Sequence, residues 1–551
     1  MDENTQQHNE TPKLDQQAQM VNGSLWLSAG NLLSRLLGAI YIIPWFLWMG
    51  EHGNEANGLF SMGYNIYALF LLISTAGIPS AIAKQTAYYN SKREYKTSRQ
   101  LFYTGLKTMG GLGLIFAGFM YLASPFLAEW AGGGEELIPV MRSLAIAVLV
   151  FPCMSVIRGY FQGNNQMKPV AVSQVIEQVA RVFYMLLTTF IIMRVMNGQF
   201  TEAVVQSTFA AFIGMLASFI VLIWYMIREK PVLDEMEKRY GQNTIHLNSK
   251  DLLAETIRQA VPFIIVGSGV QLFQIVDQYT FYNIMSWRTD YSRQELLNYF
   301  AMFSANPNKL TMVIVALATS ISGTGLPLIT ENYTLGKKQE LATLIVNNIQ
   351  LFLFVMLPSA VGMMILAFPL YTVFFGANML GANLLAWVAA QSLLLGFYML
   401  ISNMLQGMYQ NRYAIQCLGI GLIVKIATQF LTVSIFQVHG PILSTFLGFA
   451  VACWFLMKRV RGVSKFNYVK VIRRSILMGL MTIAMAIATL VARGIFGLFL
   501  SNEHRVSSLI LVLLCAIVGG VVYMYLSLKT RLADKLLGAR VNVLRRRLKM
   551  K

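Results

Sequence analysis

The sequence predicts an all-α polytopic membrane protein. Its fourteen transmembrane helices form two pseudo-symmetric six-helix lobes built as parallel repeats, with two further helices at the C-terminus. Three observations predict this. Of 551 residues, 56% are hydrophobic and 13% charged, against about 25% charged in a soluble domain. Apolar runs of bilayer-crossing length, about 20 residues each, recur along the chain with short connections. One half of the chain is echoed in the other at a nearly constant offset. The composition excludes a soluble enzyme, a disordered chain and, despite a net charge of +19, a basic nucleic-acid binder.

The elements follow in order. Residues 1–22 are a polar tail with no short basic region before the first apolar run, so no cleaved signal peptide is expected. Spans are expected at roughly 24–49, 57–83, 101–127, 138–161, 169–193 and 203–227, giving a first lobe over 23–227. A charged connection, 228–258, is expected to be a cytoplasmic linker. Spans at roughly 259–286, 306–329, 341–367, 380–405, 412–436 and 441–457 give a second lobe over 259–457. The region 458–527 holds a basic loop and two more spans, roughly 475–500 and 507–527, and 528–551 is a basic tail.

Lysine and arginine near span ends set the orientation. The connection 458–474 carries seven basic residues and no acid, and the tail 529–551 carries nine with one acid. The connections 50–56 and 128–137 carry only acidic charges, Glu51, Glu55, Glu129, Glu135 and Glu136. Both termini are therefore expected in the cytoplasm. Most of the basic charge is a topology signal, and Arg545, Arg546 and Arg547 are also candidates for anionic lipid headgroups.

The repeat is carried by short strings. Residues 118–126 read GFMYLASPF and 362–370 read GMMILAFPL, so Gly118, Met120, Leu122, Ala123 and Pro125 each recur 244 positions later. At the same offset Gln162-Gly163 becomes Gln406-Gly407, Lys168 becomes Arg412, and Arg181 becomes Lys425. Gly77-Ile78-Pro79 is echoed by Gly325-Leu326-Pro327, and Ser207-Thr208-Phe209 by Ser444-Thr445-Phe446. Six spans return the chain to its starting side. The repeats are therefore parallel, the arrangement of two-lobe transporters that alternate access by rocking. Pro79 and Pro327 are the hinge candidates.

Ionisable side chains at membrane depth are costly and point to function. Arg35 lies mid-way along the first span. Gln174, Glu177, Gln178 and Arg181 share one face of the fifth. The seventh carries Gln271, Gln274, Asp277 and Gln278, the eighth opens with Lys309, and Lys425 lies deep in the eleventh. One reading of the fifth span is an internal Glu177–Arg181 salt bridge between helices. The other is a hydrated cavity whose basic groups meet an anionic substrate, with Gln174, Gln271 and Gln274 on its walls. Asp277, and with it Glu177, is a candidate for ion or proton coupling, and Asp277 is equally a counter-charge for Arg35 or Arg181. Lys107 and Arg493 lie nearer span ends, where long basic side chains snorkel. Four cysteines in apolar runs and five scattered histidines suggest neither disulfides nor a metal site. No phosphate-cradling glycine loop is found, so neither catalysis nor a cofactor is expected. Transport would be driven by the membrane potential or by a proton, sodium or substrate gradient.

The stretch 157–182, IRGYFQGNNQMKPVAVSQVIEQVARV, resembles the signature of the polysaccharide-transporter branch of the multidrug/oligosaccharidyl-lipid/polysaccharide (MOP) superfamily. Residues 77–84, GIPSAIAK, resemble that branch's second-span motif. The resemblance runs from about 22 to 530, and among fourteen-span members it is greatest to the lipid II flippases of Gram-positive bacteria. It implies a V-shaped pair of six-helix bundles around a cationic cavity, with the last two helices forming a lateral groove for an undecaprenyl tail. Gram-negative members read Ser-Arg-x-x-Gly-x-x-Arg-Asp in the first span. Here Ser34-Arg35-Leu36-Leu37-Gly38 matches, but Tyr41 and Ile42 replace the second Arg and the Asp. Cavity arginines of the second and eighth spans have no counterpart. Only Arg35 therefore transfers directly from the resemblance; if cations hold the pyrophosphate, Arg181, Lys425 and Lys309 must supply what those arginines do.

The expected function is translocation of undecaprenyl-pyrophosphate-linked peptidoglycan precursor from the inner to the outer leaflet of a bacterial plasma membrane. The expected partners are that lipid-linked glycan, anionic lipids and the cell-wall synthesis machinery, and no nucleic acid. A flippase for another lipid-linked glycan (a capsule or teichoic-type unit) is the alternative, followed by a multidrug or cation antiporter and a non-transporting scaffold.

Overall fold

The computed structural model describes residues 37–240 and 261–537, apart from positions 39, 76–77, 263 and 324, together with residue 258. Arg35, the tail 1–22 and Arg545–Arg547 lie outside the described residues, as do the side chains of Pro79 and Pro327. Every regular element among the described residues is helical. The chain divides into two compact units. The first comprises residues up to Tyr41 and 62–268; the second comprises Ile42–Ser61 and 269–551.

The first unit is built on α3 (Ile78–Ser91), α4 (Tyr95–Trp130), α5 (Gly134–Gly163), α6 (Met167–Phe190) and α7 (Phe200–Tyr240). The helix α2 (Gly53–Thr75) precedes them and is shared between the units at Ser61/Met62. α4 packs along α5 and α6 along α7. α7 continues past its apolar part to Tyr240, and there Asp234 and Glu237 pair with Arg99 of α4, Glu237 at 3.1 Å.

The second unit begins with α1 (Ile42–Met49) and the start of α2. It continues through α8 (Gly269–Arg288), α9 (Arg293–Phe300), α10 (Asn306–Gly323), α11 (Leu326–Thr334), α12 (Lys338–Ile365), α13 (Ala367–Phe375) and α14 (Met379–Gly407). It closes with α15 (Asn411–Phe436), α16 (Gly440–Ser464), α17 (Tyr468–Gly497), α18 (Arg505–Lys529) and α19 (Leu532–Leu537). A capping box, Ser292 with Glu295, starts α9, and its hydrogen bonds, the backbone N–H of Ser292 first, hold the Glu295 carboxyl below its ordinary range. α15 and α16 meet at Gly421 and Gly448. A Cβ on either would lie 2.8–2.9 Å from the other's carbonyl oxygen, the close approach that small residues allow between membrane helices.

The echoed prolines take up helix-specific roles. α11 starts at Leu326-Pro327, where proline's missing N–H costs nothing. Pro125 and Pro369, the echoed pair, each withhold a bond from the carbonyl four residues earlier. In α4 the Ser124 hydroxyl donates to Tyr121 O at 2.8 Å. In the second unit Arg493 of α17 donates to Ile365 O at 2.6 Å, where α12 ends and α13 begins. Arg493 thus fills an interhelical role instead of snorkelling. The appended helices are held further by Met478, Met481, Met485 and Tyr523 around Phe354. An Arg493→Leu substitution is expected to cost about 1–3 kcal/mol, the value of a buried carbonyl left unsatisfied. The check is thermal unfolding in detergent, which should show a lower midpoint than in Lys107→Leu.

Candidate functional site

In the first unit the face Gln174–Glu177–Gln178–Arg181 projects from α6 as its spacing requires. The internal Glu177–Arg181 bridge is not the pairing adopted. Arg158 of α5 donates from Nη2 to Glu177 Oε2 at 2.8 Å and to Ser218 Oγ at 2.9 Å, and from Nε to Ser173 Oγ at 3.1 Å. These groups come from α5, α6 and α7, so one guanidinium ties three helices. α7 can approach because residue 214 is glycine: a Cβ there would meet Glu177 O at 2.6 Å and Arg181 Cβ at 3.0 Å.

Arg181 has a different environment. Its guanidinium carbon lies 5.1 Å from the centre of the Tyr64 ring, and Nη1 is 3.5 Å from the Tyr64 hydroxyl. Tyr67 packs beside Tyr64 with ring centres 5.2 Å apart, and Tyr41 and Tyr67 both lie within electrostatic reach of the cation. No carboxylate of the described residues lies within ion-pairing distance of Arg181. It is half-buried, among aromatic rings, with its hydrogen-bonding fork little used. Gln174 Oε1 is buried on the same helix without a hydrogen-bond partner among the described residues.

The second unit holds Lys425, which is 0% exposed. Its ammonium donates to Asp277 Oδ1 at 2.7 Å and to the Thr445 hydroxyl. Gln429 Nε2 donates to the same Asp277 oxygen at 3.0 Å, and Thr445 Oγ1 to the other at 3.3 Å. Asp277 is therefore the counter-charge of Lys425 rather than of Arg181. Beside the pair is a cavity of about 30 Å³ walled by Gln274, Asp277, Ser304, Asn308, Gln391 and Thr445 among apolar side chains. That volume holds about two waters. Gln271, half-buried on α8, is not among its walls.

Lys309 sits elsewhere in this unit. It donates to Asn57 Oδ1 at 2.5 Å and lies over the rings of Phe60 and Trp45, at 5.1 and 5.6 Å. Asn57 in turn donates to Asn306, which donates to Asn54 at 2.9 Å and to Tyr371 at 2.7 Å. A buried π-helical turn, Ala301–Ala305, precedes Asn306. Lys309 is thus built into a network that ties α10 to α2 and α13.

Sequence reasoning missed Arg158, the tyrosines 64 and 67, Gln429 and Asn57. Arg158 stood inside the signature string but near a span end. Thr445 lies in the echoed Ser-Thr-Phe string, but its counterpart Thr208 shares a 2.7 Å hydrogen bond with Ser143 instead of meeting a charge.

Multiple membrane-length helices, nine stretches among the described residues, with charged side chains along their length, define a multi-pass membrane protein. Comparison with known proteins carries this to a family. The profile described as polysaccharide biosynthesis protein matches residues 20–333, and the chain belongs to that family. It is 34% identical over 538 residues, 95% of this chain and 98% of the relative, to the protein named lipid II flippase MurJ of Bacillus subtilis (strain 168). Over 162 residues, 29% of this chain and 31% of the relative, it is 30% identical to stage V sporulation protein B of the same organism. The fold is shared with a solved lipid II flippase MurJ in an inward closed conformation. That match has a TM-score of 0.67 at 14% identity and covers 93% of this chain and 100% of the other. An inward-facing multidrug resistance MATE family transporter of the MOP superfamily matches with a TM-score of 0.60 at 16% identity, over 79% and 95% of the chains.

Proposed function

We propose that this chain is a lipid II flippase, moving undecaprenyl-pyrophosphate-linked peptidoglycan precursor across a bacterial plasma membrane by alternating access, with both termini in the cytoplasm. The observation that carries the proposal is Arg181. A guanidinium at membrane depth, without a carboxylate partner among the described residues and set among tyrosines, suits a phosphate-bearing lipid head. The near full-length relative named a lipid II flippase supports the choice of substrate.

The physical logic is charge compensation. A pyrophosphate dianion in a low-dielectric cavity without cations would cost more than packing can offset. Arg181 offers a planar bidentate fork; Gln174 offers an acceptor for a sugar hydroxyl on the same face. Tyrosine rings present apolar faces with polar tips, the surface on which sugars rest. Lys425 contributes little net charge to the substrate because Asp277 cancels it. The Asp277–Lys425 pair beside its small polar cavity is the candidate for coupling transport to a proton gradient or to the membrane potential.

The experiment is outer-leaflet access. Depleting the protein in intact cells, then adding an enzyme that cleaves lipid II only from outside, should abolish cleavage while lipid II accumulates. Unchanged cleavage in a strain lacking any second flippase would overturn the reading and move attention to other lipid-linked glycans.

A further inference from the structure

Glu177 stands one helical turn before Arg181 on α6, the Glu-then-Arg order at i, i+4 that favours an ion pair on one helix. That pair would occupy the Arg181 fork and cancel its charge. In the structure Arg158 holds Glu177 instead. Its guanidinium is fixed to the carboxylate at 2.8 Å and to hydroxyls of the two neighbouring helices, and the two charged side chains are only 10% and 19% exposed. The three charges sum to one positive unit, and this geometry places that unit on Arg181. The repeat offers no equivalent device in the second unit. The positions 244 residues on from Arg158 and Glu177 are Ser402 and Gly421, and the echoed cation Lys425 is neutralised by Asp277.

We propose that Arg158 is a positioning residue for transport: by holding Glu177 it keeps Arg181 unpaired for the phosphate-bearing head of the lipid. This rests on the assignment of Arg181 made above. If Arg158 served folding alone, its loss and the repair by Glu177→Gln would both appear in protein level and thermal midpoint, and cleavage at matched protein level would not change. Here the damage passes through the Glu177 charge, so removing that charge repairs it.

The test uses full-length Arg158→Met, Arg158→Met/Glu177→Gln and Arg181→Gln variants in cells depleted of their own lipid II flippase, scoring outer-leaflet lipid II cleavage at matched protein level. Arg158→Met should lower cleavage by about tenfold or more, and the double variant should return to within about threefold of wild type. Arg181→Gln should stay low. Where Arg158→Met accumulates poorly, the double variant, which strands no charge at 158 or 177, carries the test. An abundant but inactive double variant overturns the proposal, as does normal transport by Arg158→Met. Normal transport by Arg181→Gln overturns the assignment of Arg181 and the proposal with it; loss in Arg181→Gln without rescue in the double variant overturns the role of Arg158 alone.

Discussion

Alanine at Arg181 is expected to lower lipid II display on the outer leaflet by roughly a hundredfold with protein level unchanged. Two charge-assisted hydrogen bonds to a phosphate are worth about 3 kcal/mol or more together, and each 1.4 kcal/mol is about tenfold. Folding should be spared, because Arg181 makes no ion pair with a described residue, and its guanidinium meets Tyr64 through a ring-face contact and a long 3.5 Å hydrogen bond. Arg181→Lys separates charge from geometry. It keeps a point charge at the site and loses the fork, so an intermediate loss of about tenfold is expected. Outer-leaflet cleavage in depleted cells, alongside quantitative blotting, measures both. Wild-type display in Arg181→Ala would remove the cation on which substrate recognition is built.

Much of this was legible in the sequence, for identifiable reasons. Hydropathy placed the helices because the bilayer demands internally bonded, apolar segments. The echo of Pro125 in Pro369 anticipated two helices with a freed carbonyl at the same place. Arg181, Lys425, Asp277 and Lys309 stood out because a charge inside an apolar run is conspicuous. What could not be read was which charge meets which, since that depends on the rotation and neighbours of each helix. Glu177 and Arg181 share a face by spacing, yet Glu177 turns to Arg158 on another helix. Lys309 looked like a cavity cation and instead joins Asn57, an uncharged residue about 250 positions away that carries no sequence signal. Arg493 looked like an interfacial anchor until the proline-freed carbonyl of Ile365 gave it a partner.

Lys425→Ala is expected to have the largest effect on stability. The lysine is fully buried, and its removal strands Asp277 in an interior where its remaining partners are Gln429 and Thr445. Breaking a buried ion pair from one side costs about 3–5 kcal/mol, because a charge is left without its counter-charge. Removing both charges while keeping the volume, Lys425→Met with Asp277→Asn, should recover most of that loss, since an apolar or neutral replacement of a buried pair is often close to neutral. Thermal unfolding of the purified protein in detergent reads this directly: a depressed midpoint for the single variant and a near-native one for the double. Transport then separates packing from coupling. A pair that only packs leaves the double variant flipping lipid II at the wild-type rate. A pair that exchanges a proton or answers the membrane potential leaves the double variant stable but about tenfold slower, and insensitive to collapse of the gradient. The second outcome is expected, because the pair borders a polar cavity with room for about two waters. A salt bridge serving only as mortar has no need of such an opening beside it.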